Sequence, residues 1–367
     1  MKPGATNSLL DVAGLRVGHH HRVGGGHRTG TTVVLAPEGG MVAGVDVRGA
    51  APGTRETELL DPRNLVERVH AVVLTGGSAF GLSAACGVMS RLADAGVGFP
   101  VEGGVVPIVP AAVIYDLGRG GAFRATPDAS FGEAAYDAAG ADVTDPPGQA
   151  ALERTAPGHV SGSVGAGAGA VAGGLAGGAG TASVVLPRGA TVAALAVVNA
   201  AGSVLDPNGG RLAGARYGLP GEFDHLGEPS AEEVEAWRPA GVTSLNTTIG
   251  VVATDLTLTK AQCGKLAAVA HDGLARAIRP AHTMVDGDTV FAVATCARPA
   301  PRGGGRVYGQ RNADDEPPGA ELHELHDLLA AGADVFSRAV AHAVLAATGR
   351  EGAPAYLDVF PSASRTS

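Results

Sequence analysis

Short apolar runs separated by turns dominate the first part of the chain and predict β-strands. The first sixty residues alternate runs such as TTVVL and MVAGVDV with glycine-containing turns, which is typical of strands. The run HAVVLTGG (residues 70–77) predicts a buried strand that ends in a glycine turn, and VPIVPAAVIYDLG (residues 106–118) predicts another. Residues 80–96 have apolar side chains at helical spacing, and residues 131–141 predict a second, short helix.

The second half of the chain continues this mixture of strands and helices. Apolar runs at residues 181–187 and 191–210 predict strands, and the second run ends in the turn signal Asn208–Gly209. After the strand IGVVATDLTL, the capping box Thr259-x-x-Gln262 starts a helix. A strand at residues 288–296 and a long final helix follow. Because several strands follow one another without a helix, a layered α/β fold with mixed sheets fits better than repeated β-α units.

A polar segment interrupted by prolines separates these two parts of the pattern. Residues 219–245 form this segment and are the strongest linker candidate in the chain. Within it, Ser230 and Glu233 have the spacing of a capping box and predict one short helix. The segment ends at Asn246-Thr247-Thr248, directly before the apolar run of the next strand. Asn and Thr are ordinary turn residues at such a position, so this motif alone predicts only a turn.

The composition predicts a folded protein whose packing depends on small side chains. At 367 residues the chain is long enough for one large domain or two of ordinary size, and its 45% hydrophobic content excludes disorder over the whole length. Glycine is unusually frequent, with 57 residues, and aromatic residues make up only 4%, so backbone and small side chains must supply much of the packing. The formal net charge of −9 argues against nucleic acid as a partner.

Disulfides and a membrane location are not expected. The three cysteines lie far apart, at Cys86, Cys263 and Cys296, and form no C-x-x-C pair. The N-terminus lacks the long apolar stretch of a signal peptide, so we expect a cytoplasmic protein. Residues 161–183 repeat glycine at the G-x-x-x-G spacing of membrane helices. Each interior glycine costs a helix about 1 kcal/mol relative to alanine, so we expect closely packed loops and strands there instead.

Three motifs resemble cofactor, nucleophile or metal sites but lack features that such sites need. The run Gly167-x-Gly169-x-x-Ala172 resembles a dinucleotide fingerprint but lacks the preceding strand and the acidic residue. The spacing around Ser78 in TGGSAFG differs from that of a nucleophile elbow. The four histidines of GHHHRVGGGH (residues 18–27) predict a solvated loop, because no cysteine or paired carboxylates lie nearby. We therefore expect neither a metal ion nor a cofactor.

Polar residues at the ends of three predicted strands become informative in combination. Asn246–Thr247 precedes one strand, Asn199 ends the apolar run AALAVVN, and Asp286-Gly287-Asp288 precedes another strand. Each has an ordinary interpretation as turn chemistry or as a satisfied buried amide. A hydroxyl, a hydrogen-bond donor for an oxyanion and a carboxylate pair are also the groups that nucleophilic amide hydrolysis uses.

Five motifs in this order resemble the self-processing L-aminopeptidase/D-esterase family, which includes β-aminopeptidases and nylon-oligomer hydrolases. They are LTGGSAFGL, VPIVPAAVIYDL, GAGAGA, NTTIGVVATD and HTMVDGDTVFAVAT, and the similarity runs from about Asp11 to Ala347. The resemblance implies a single domain over residues 1–367, folded as a four-layer αββα sandwich like N-terminal-nucleophile hydrolases. It also implies self-cleavage into residues 1–246 and 247–367, and assembly into a homotetramer of processed protomers.

The same resemblance implies roles for individual residues. Thr247 matches the nucleophile that cleavage after Asn246 would expose, and Asn199 matches the asparagine of the oxyanion hole. Tyr115 matches a tyrosine of the substrate pocket. Asp286 and Asp288 match the acidic pair that orients the nucleophile.

The glycine-rich run bears on the substrate in two ways. Gly165, Gly167 and Gly169 would let backbone N–H groups approach the substrate closely. Gly174 stands where nylon-oligomer hydrolases have a lysine, and this departure argues against polyamide substrates.

The sequence therefore predicts an amide hydrolase that acts through an acyl-threonine intermediate on short peptides or related amides. An N-terminal threonine supplies its own base, because its α-amine is held beside its hydroxyl. Two other activities stay open: an acyltransferase of the ornithine acetyltransferase type, and a nylon-oligomer (6-aminohexanoate) hydrolase. A scaffold that keeps the fold without the activity is the third alternative.

Overall fold

Two five-stranded sheets form the centre of the computed structural model. The structure describes residues 1–140, 160–239, 245–299 and 320–365. The strands in these ranges, in chain order, are β1 (Arg16–Gly24), β2 (His27–Leu35), β3 (Val42–Val47), β4 (Thr54–Arg55), β5 (Ala71–Thr75), β6 (Phe99–Val101), β7 (Gly104–Val106), β8 (Ala111–Val113), β9 (Val171–Ala172), β10 (Leu175–Ala176), β11 (Ala179–Val185), β12 (Thr191–Val197), β13 (Ile249–Leu256) and β14 (Thr289–Arg298).

Both large sheets are mixed, as the sequence predicts. The first has the spatial order β1-β2-β5-β8-β4 and the second the order β11-β12-β13-β14-β3. Each contains one parallel pair, β5 with β8 in the first sheet and β13 with β14 in the second. The other neighbouring strands are antiparallel. Two short hairpins, β6–β7 and β9–β10, lie outside these sheets.

Helices cover the outer face of each sheet. The helices in the described ranges are α1 (Ser78–Gly81), α2 (Ala84–Asp94), α3 (Ala129–Gly140), α4 (Ala231–Ala236), α5 (Lys260–Ala277), α6 (Ala320–Leu345) and α7 (Tyr356–Val359). Helices α2 and α3 pack together over the first sheet, and α5 and α6 pack together over the second. The result is the expected αββα sandwich.

Alternating side chains along the central strands explain why each sheet is covered on both faces. In β2, Val34 lies in the apolar layer between the sheets, whereas Val33 and Leu35 pack towards α2 and α3. In β13, Val251 lies between the sheets and Val252 lies in the layer beneath α5 and α6. Since successive side chains point to opposite faces, strands buried on both sides have continuous apolar sequences.

Small residues let helix and sheet backbones approach each other closely. A Cβ atom at Gly180 of β11 would lie 2.2 Å from the carbonyl oxygen of Ala339 and equally close to the amide nitrogen of Ala343, both in α6. A side chain there would push the helix off the sheet. The prediction of closely packed loops and strands in the glycine-rich region is confirmed, because residues 161–183 form a 3-10 helix (Gly165–Gly169) and the short strands β9 to β11.

The histidine motif does not form the solvated loop that we expect from the sequence. Residues 18–27 belong instead to the β1–β2 hairpin, which turns at residues 24–26. His19 is buried, and its Nδ1 lies 2.8 Å from the hydroxyl of Thr32. Burial lowers the pKa of His19 to about 3, so the ring is neutral. The prediction was wrong because a neutral imidazole with a hydroxyl partner can occupy a buried strand position.

Two predicted strands are shorter than their apolar runs. Residues 106–118 supply only β8 to the first sheet, since Pro107 and Pro110 have no N–H for a strand ladder. Strand β12 ends at Val197, and the chain turns away from the sheet before Asn208. After both strands the backbone is irregular, and Tyr115 and Asn199 lie in these irregular segments.

The predicted linker packs against the rest of the protein as far as it is described. Its residues 240–244 lie outside the described residues. Phe223 and Leu226 are buried in the core beneath α5 and α6, so the segment is not a detached connection. The predicted capping box at Ser230 and Glu233 is confirmed at the start of α4. The second capping box, at the start of α5, is confirmed as well.

Helix α6 contains the stretch Glu324–Leu345, which is long and apolar enough to cross a membrane by composition. In the structure, 72% of its most apolar window is buried inside the protein, against α5, β11 and β12. The core helix of a layered fold has the same composition, and the packing of α6 accounts for its apolar character.

Candidate active site

Three strand ends meet at one edge of the second sheet, and each carries a polar residue. Strand β12 ends opposite the start of β13, which runs parallel to β14 with Ile249 beside Thr289. Asn199, Thr247 and Asp288 lie within two residues of these strand ends. The strand pairing therefore gathers residues that are far apart in the sequence.

The predicted cleavage site is buried and extensively hydrogen-bonded. Asn246 and Thr247 are 6% and 5% exposed. The Thr247 hydroxyl donates a hydrogen bond to the carbonyl oxygen of Asn246, with 2.5 Å between the two oxygens. The same carbonyl accepts the Gly287 N–H at 3.2 Å, and the Thr247 N–H donates to the Asn199 carbonyl at 2.6 Å. The hydroxyl thus lies against the peptide group that it would have to attack.

The Asn199 side chain is fully buried beside this peptide, and its partners define its orientation. Its Oδ1 accepts hydrogen bonds from Arg119 Nη1 at 2.5 Å and from the Val171 N–H at 3.1 Å. Its Nδ2 donates to the carbonyl oxygen of Tyr115 at 3.2 Å. Because two donors converge on one atom and an acceptor faces the other, only this assignment of the amide oxygen and nitrogen satisfies all three partners.

Asp288 holds the backbone next to Thr247, whereas Asp286 holds the loop before β14. Asp288 accepts the Thr248 N–H at 2.7 Å with Oδ1, and the N–H and Nδ1 of His282 at 3.0 and 2.8 Å with Oδ2. Asp286 Oδ2 accepts the N–H and the hydroxyl of Thr283 at 2.9 and 2.6 Å. Among the described residues, neither carboxylate forms a hydrogen bond with the Thr247 hydroxyl. Asp288 therefore contacts the nucleophile candidate through the neighbouring Thr248, and the Asp286 side chain bonds within its own loop.

The loop that carries these aspartates lies directly against the Thr247 hydroxyl. A Cβ atom at Gly287 would be 2.9 Å from Thr247 Oγ1 and 2.5 Å from the carbonyl oxygen of Ala51, so only glycine fits there. His282 has a φ of 58°, which non-glycine residues seldom adopt outside functional or strained loops. Within the described ranges, no three His, Cys, Asp or Glu side chains come together as metal ligands would.

Tyr115 and Gly169 also border this site, through main-chain carbonyl groups that the sequence does not single out. Tyr115 is half-buried and contacts Asn199 through its main-chain carbonyl. Gly165, Gly167 and Gly169 are buried in the 3-10 helix. The N–H of Gly167 is bonded to the carbonyl of Val164, directly before the helix, and the Gly169 carbonyl oxygen accepts a hydrogen bond from Arg119. Gly169 thereby presents an acceptor to Arg119, and the approach of the N–H groups of this run to a substrate stays a prediction.

Arg119 is the residue at this site that the sequence motifs do not reveal. Its guanidinium donates from Nη1 to Asn199 Oδ1 and, at 2.8 Å, to the Gly169 carbonyl, and its Nη2 lies 3.5 Å from Asn246 Oδ1. Burial lowers the pKa of Arg119. The sequence feature that could have indicated Arg119 is its position, four residues after Tyr115 in a glycine-rich loop that follows a buried strand.

Comparison with known proteins identifies the family of this chain. The family model described as peptidase family S58 matches residues 7–355. The chain belongs to peptidase family S58. An uncharacterized aminopeptidase of Mycobacterium tuberculosis is 47% identical over 374 residues, covering 97% of this chain and 99% of the relative. A 6-aminohexanoate-oligomer endohydrolase of Kocuria sp. is 32% identical over 327 residues, covering 86% of this chain and 82% of the relative.

Solved structures share the fold of this S58 peptidase. A β-aminopeptidase of Burkholderia sp. superposes with a TM-score of 0.66 at 22% identity, covering 100% of this chain and 96% of that one. An L-aminopeptidase D-Ala-esterase/amidase from Ochrobactrum anthropi, described as a variant of the Ntn-hydrolase fold, gives 0.66 at 20% identity, with 99% and 96% covered. At such identities the likeness supports the fold. Together with the family, it makes this protein a hydrolase of peptide or related amide bonds.

In this S58 peptidase, Gly174 lies against the segment that precedes the predicted cleavage site. A Cβ atom there would be 3.0 Å from Pro239 Cβ and 3.4 Å from the ring of Trp237. A lysine here would press on both residues and would be strained at the φ of 90° that Gly174 adopts. The Gly174 departure thus coincides with a contact between the glycine-rich run and the chain leading to Thr247.

The buried carboxylate of Asp116 lies close enough to the S58 site for its charge to act on Arg119. Asp116 follows Tyr115, and burial raises its pKa to about 6 from the usual 3.8, while the Gly77 N–H at 2.6 Å and the charge of Arg119 act in the opposite direction. The unfolded chain therefore releases this proton at lower pH than the folded protein does. Between about pH 4 and pH 6 the folded state binds more protons, so its stability falls as pH rises.

We expect Asp116→Asn to remove this fall in folding stability with rising pH. Relative to the variant, the wild-type protein should lose roughly 3 kcal/mol of unfolding free energy between about pH 4 and pH 6 and little beyond it. Urea unfolding at a series of pH values measures the difference, and Asp224→Asn, at an exposed position, controls for the loss of one carboxylate. Parallel pH profiles for wild type and Asp116→Asn would contradict the raised pKa.

Proposed function

We propose that this S58 hydrolase cuts its own chain between Asn246 and Thr247 and then uses Thr247 as an N-terminal nucleophile. The observation that carries the proposal is the 2.5 Å hydrogen bond from the Thr247 hydroxyl to the carbonyl oxygen of Asn246, within a buried site. A threonine hydroxyl is a weak nucleophile, and holding it against a single peptide group raises its effective concentration there.

Self-cleavage would proceed through an ester. Thr247 Oγ1 attacks the carbonyl carbon of Asn246, its proton passes to the departing Thr247 nitrogen, and the C–N bond breaks. Water then hydrolyses the ester, leaving a carboxylate on Asn246 and a free amine on Thr247. The Gly287 N–H, 3.2 Å from the carbonyl oxygen, supports this route because it can donate to the negative charge that develops on that oxygen.

The new amine would be positioned to activate the hydroxyl of the same residue. The Thr247 nitrogen lies 2.6 Å from the Asn199 carbonyl oxygen, which can hold the amine in place after cleavage. An α-amine has an ordinary pKa of about 7.7 to 8, so a useful fraction is neutral near pH 7. In that form it can accept the hydroxyl proton as Oγ1 attacks a substrate.

Turnover would follow the same chemistry on a substrate amide. Thr247 Oγ1 attacks the substrate carbonyl, the amine product leaves with a proton, and water hydrolyses the acyl-threonine ester. The Asn199 amide would donate to the oxyanion, and Asp286 and Asp288 would hold the loop and strand around Thr247 in register. Tyr115, at the same edge, would border the substrate.

Aminopeptidase activity on short peptides or related amides is the preferred substrate class. Relatives named as aminopeptidases match nearly the whole chain at 46–47% identity. Hydrolysis of 6-aminohexanoate oligomers is the second candidate, favoured by endohydrolases at 31–32% identity. The homotetramer of processed protomers and the cytoplasmic location stay predictions from the sequence.

We expect purified wild-type protein to run as two pieces, residues 1–246 and 247–367. Thr247→Ala should leave one chain without amidase activity, whereas Thr247→Ser, which keeps a hydroxyl, should still be cut. Thr248→Val is the matched control, because the neighbouring Thr248 hydroxyl is buried and has no hydrogen-bond partner among the described residues. Intact mass spectrometry distinguishes these outcomes, and a folded wild-type protein that stays in one piece would rule out the proposal.

We expect Asn199→Ala to reduce kcat by roughly 10²- to 10³-fold, as removal of an oxyanion donor does, with a smaller change in KM. Steady-state kinetics on an aminoacyl p-nitroanilide provide the measurement. Asn208→Ala, at an exposed turn, is the control. If kcat stays the same, Asn199 has no place in the mechanism.

The substrate class can be tested by direct comparison. We expect kcat/KM to be highest for aminoacyl p-nitroanilides or β-aminoacyl amides and lowest for 6-aminohexanoate oligomers, because Gly174 replaces the lysine expected in oligomer hydrolases. The uncut Thr247→Ala protein measures the background. Equal or faster hydrolysis of the oligomers would favour the second candidate instead.

A further inference from the structure

Arg119 brings a positive charge to the centre of the site without a salt bridge among the described residues, and the charge of Asp116 acts on it only at longer range. It lies in the loop between β8 and α3, and its own N–H is bonded to the Asp116 carbonyl at 3.2 Å. Its guanidinium donates to the Asn199 and Asn246 side chains and to the Gly169 carbonyl, all of which are neutral. Among the described residues it forms no ion pair with a carboxylate.

A partly buried cation with neutral acceptors is costly, so its position calls for a reason. The free-energy cost of removing a charge from water can be offset by its interactions with neighbouring groups, which are stronger in a low-dielectric site. Packing alone does not require a charge here, because an apolar or neutral side chain can fill space at lower cost. Two of the three acceptors of Arg119 are side chains with a place in the proposed chemistry. Asn199 is the proposed oxyanion donor, and Asn246 carries the carbonyl that Thr247 would attack.

We propose that Arg119 is a positioning residue, which orients the Asn199 amide for oxyanion binding and strengthens it as a donor. This inference rests on the proposed function. Arg119 and the Val171 N–H together hold Oδ1 of Asn199, so that Nδ2 keeps its position. A cation bonded to the oxygen of an amide also draws electron density from its nitrogen, and a polarised N–H is a stronger hydrogen-bond donor.

The contact with Asn246 connects the same guanidinium to the cleavage step. Arg119 Nη2 lies 3.5 Å from Asn246 Oδ1, on the residue whose carbonyl Thr247 would attack. Hydrogen bonds to both asparagines from one rigid, planar group restrict the position of the scissile peptide relative to the oxyanion donor. Loss of Arg119 should therefore slow self-cleavage as well as turnover.

A second arginine provides a matched control for the charge. Arg350 Nη2 donates to the same Gly169 carbonyl at 3.0 Å and to the Ala170 carbonyl at 2.6 Å. It contacts neither Asn199 nor Asn246 within the described residues. Removing the two guanidiniums separately therefore distinguishes contact with the asparagines from a general effect of positive charge near Gly169.

The test is a double-mutant cycle between Arg119→Gln and Asn199→Ala, with Arg119→Lys and Arg350→Gln alongside. We expect Arg119→Gln to lower kcat about tenfold or more with KM changed less than about threefold, and Arg119→Lys to recover part of the loss. In the Asn199→Ala background the same change should cost less than about twofold, because Arg119 acts through Asn199. Arg350→Gln should stay within about threefold of wild type.

Multiplicative losses for Arg119→Gln and Asn199→Ala, or an equal loss for Arg350→Gln, would overturn the inference. Where a variant is cut too slowly for steady-state kinetics, the rate at which intact mass spectrometry detects the two pieces replaces kcat in the cycle. Thermal unfolding followed by circular dichroism identifies variants that do not fold, and the cycle then uses Arg119→Lys. A wild-type protein that hydrolyses amides as one chain would reject self-cleavage, yet the coupling of Arg119 to Asn199 would still be measurable on that chain.

Discussion

The pairing of β12, β13 and β14 is the constraint on which the site depends. It brings the end of one strand and the starts of two others to the same edge, where Asn199, Thr247 and Asp288 lie. Because successive side chains point to opposite faces, a slip of one residue in β13 would turn the Thr247 side chain away from the loop that contains Gly287. Every residue of β13 is buried, so apolar packing on both faces opposes such a slip. The core of the sandwich thereby holds the hydroxyl in place.

The polar groups of the site are stable in this interior because they bond to one another. Asp288 accepts three N–H groups of the surrounding backbone and His282, and Asn199 has a partner at each end of its amide. Such a network restricts each member to one orientation, which loosely solvated side chains would not keep. Arg119 differs, since within the described residues its hydrogen-bond acceptors are neutral and the charge of Asp116 acts on it without a salt bridge. The same interior that makes its burial costly increases its effect on Asn199.

Local signals predict much of this structure, and contacts between distant segments are the part that they miss. Continuous apolar runs and capping residues predict β13, α5 and β14 to within a few residues, because those signals lie within each element. Thr247 and Asn199 stand out as polar residues at the ends of apolar strands. Arg119 does not, since its role depends on contact with a residue 80 positions away. The burial of His19 is missed for a similar reason, because the hydroxyl that satisfies its ring belongs to Thr32 on the neighbouring strand.

The hydrogen bonds on the two sides of the Asn246–Thr247 peptide belong to different parts of the fold. Asn246 is bonded to the backbone of residues 285–287, in the loop before β14, whereas Thr247 is bonded to Asn199 at the end of β12. Cleavage as proposed would leave Thr247 anchored to the sheet and Asn246 attached to a loop and to Arg119. A substrate carbonyl must then occupy the place of the Asn246 carbonyl, so Asn246 has to exchange its loop bonds for water before turnover begins. The nucleophile needs no such movement, because it stays joined to β13 and bonded to Asn199, two residues after the end of β12.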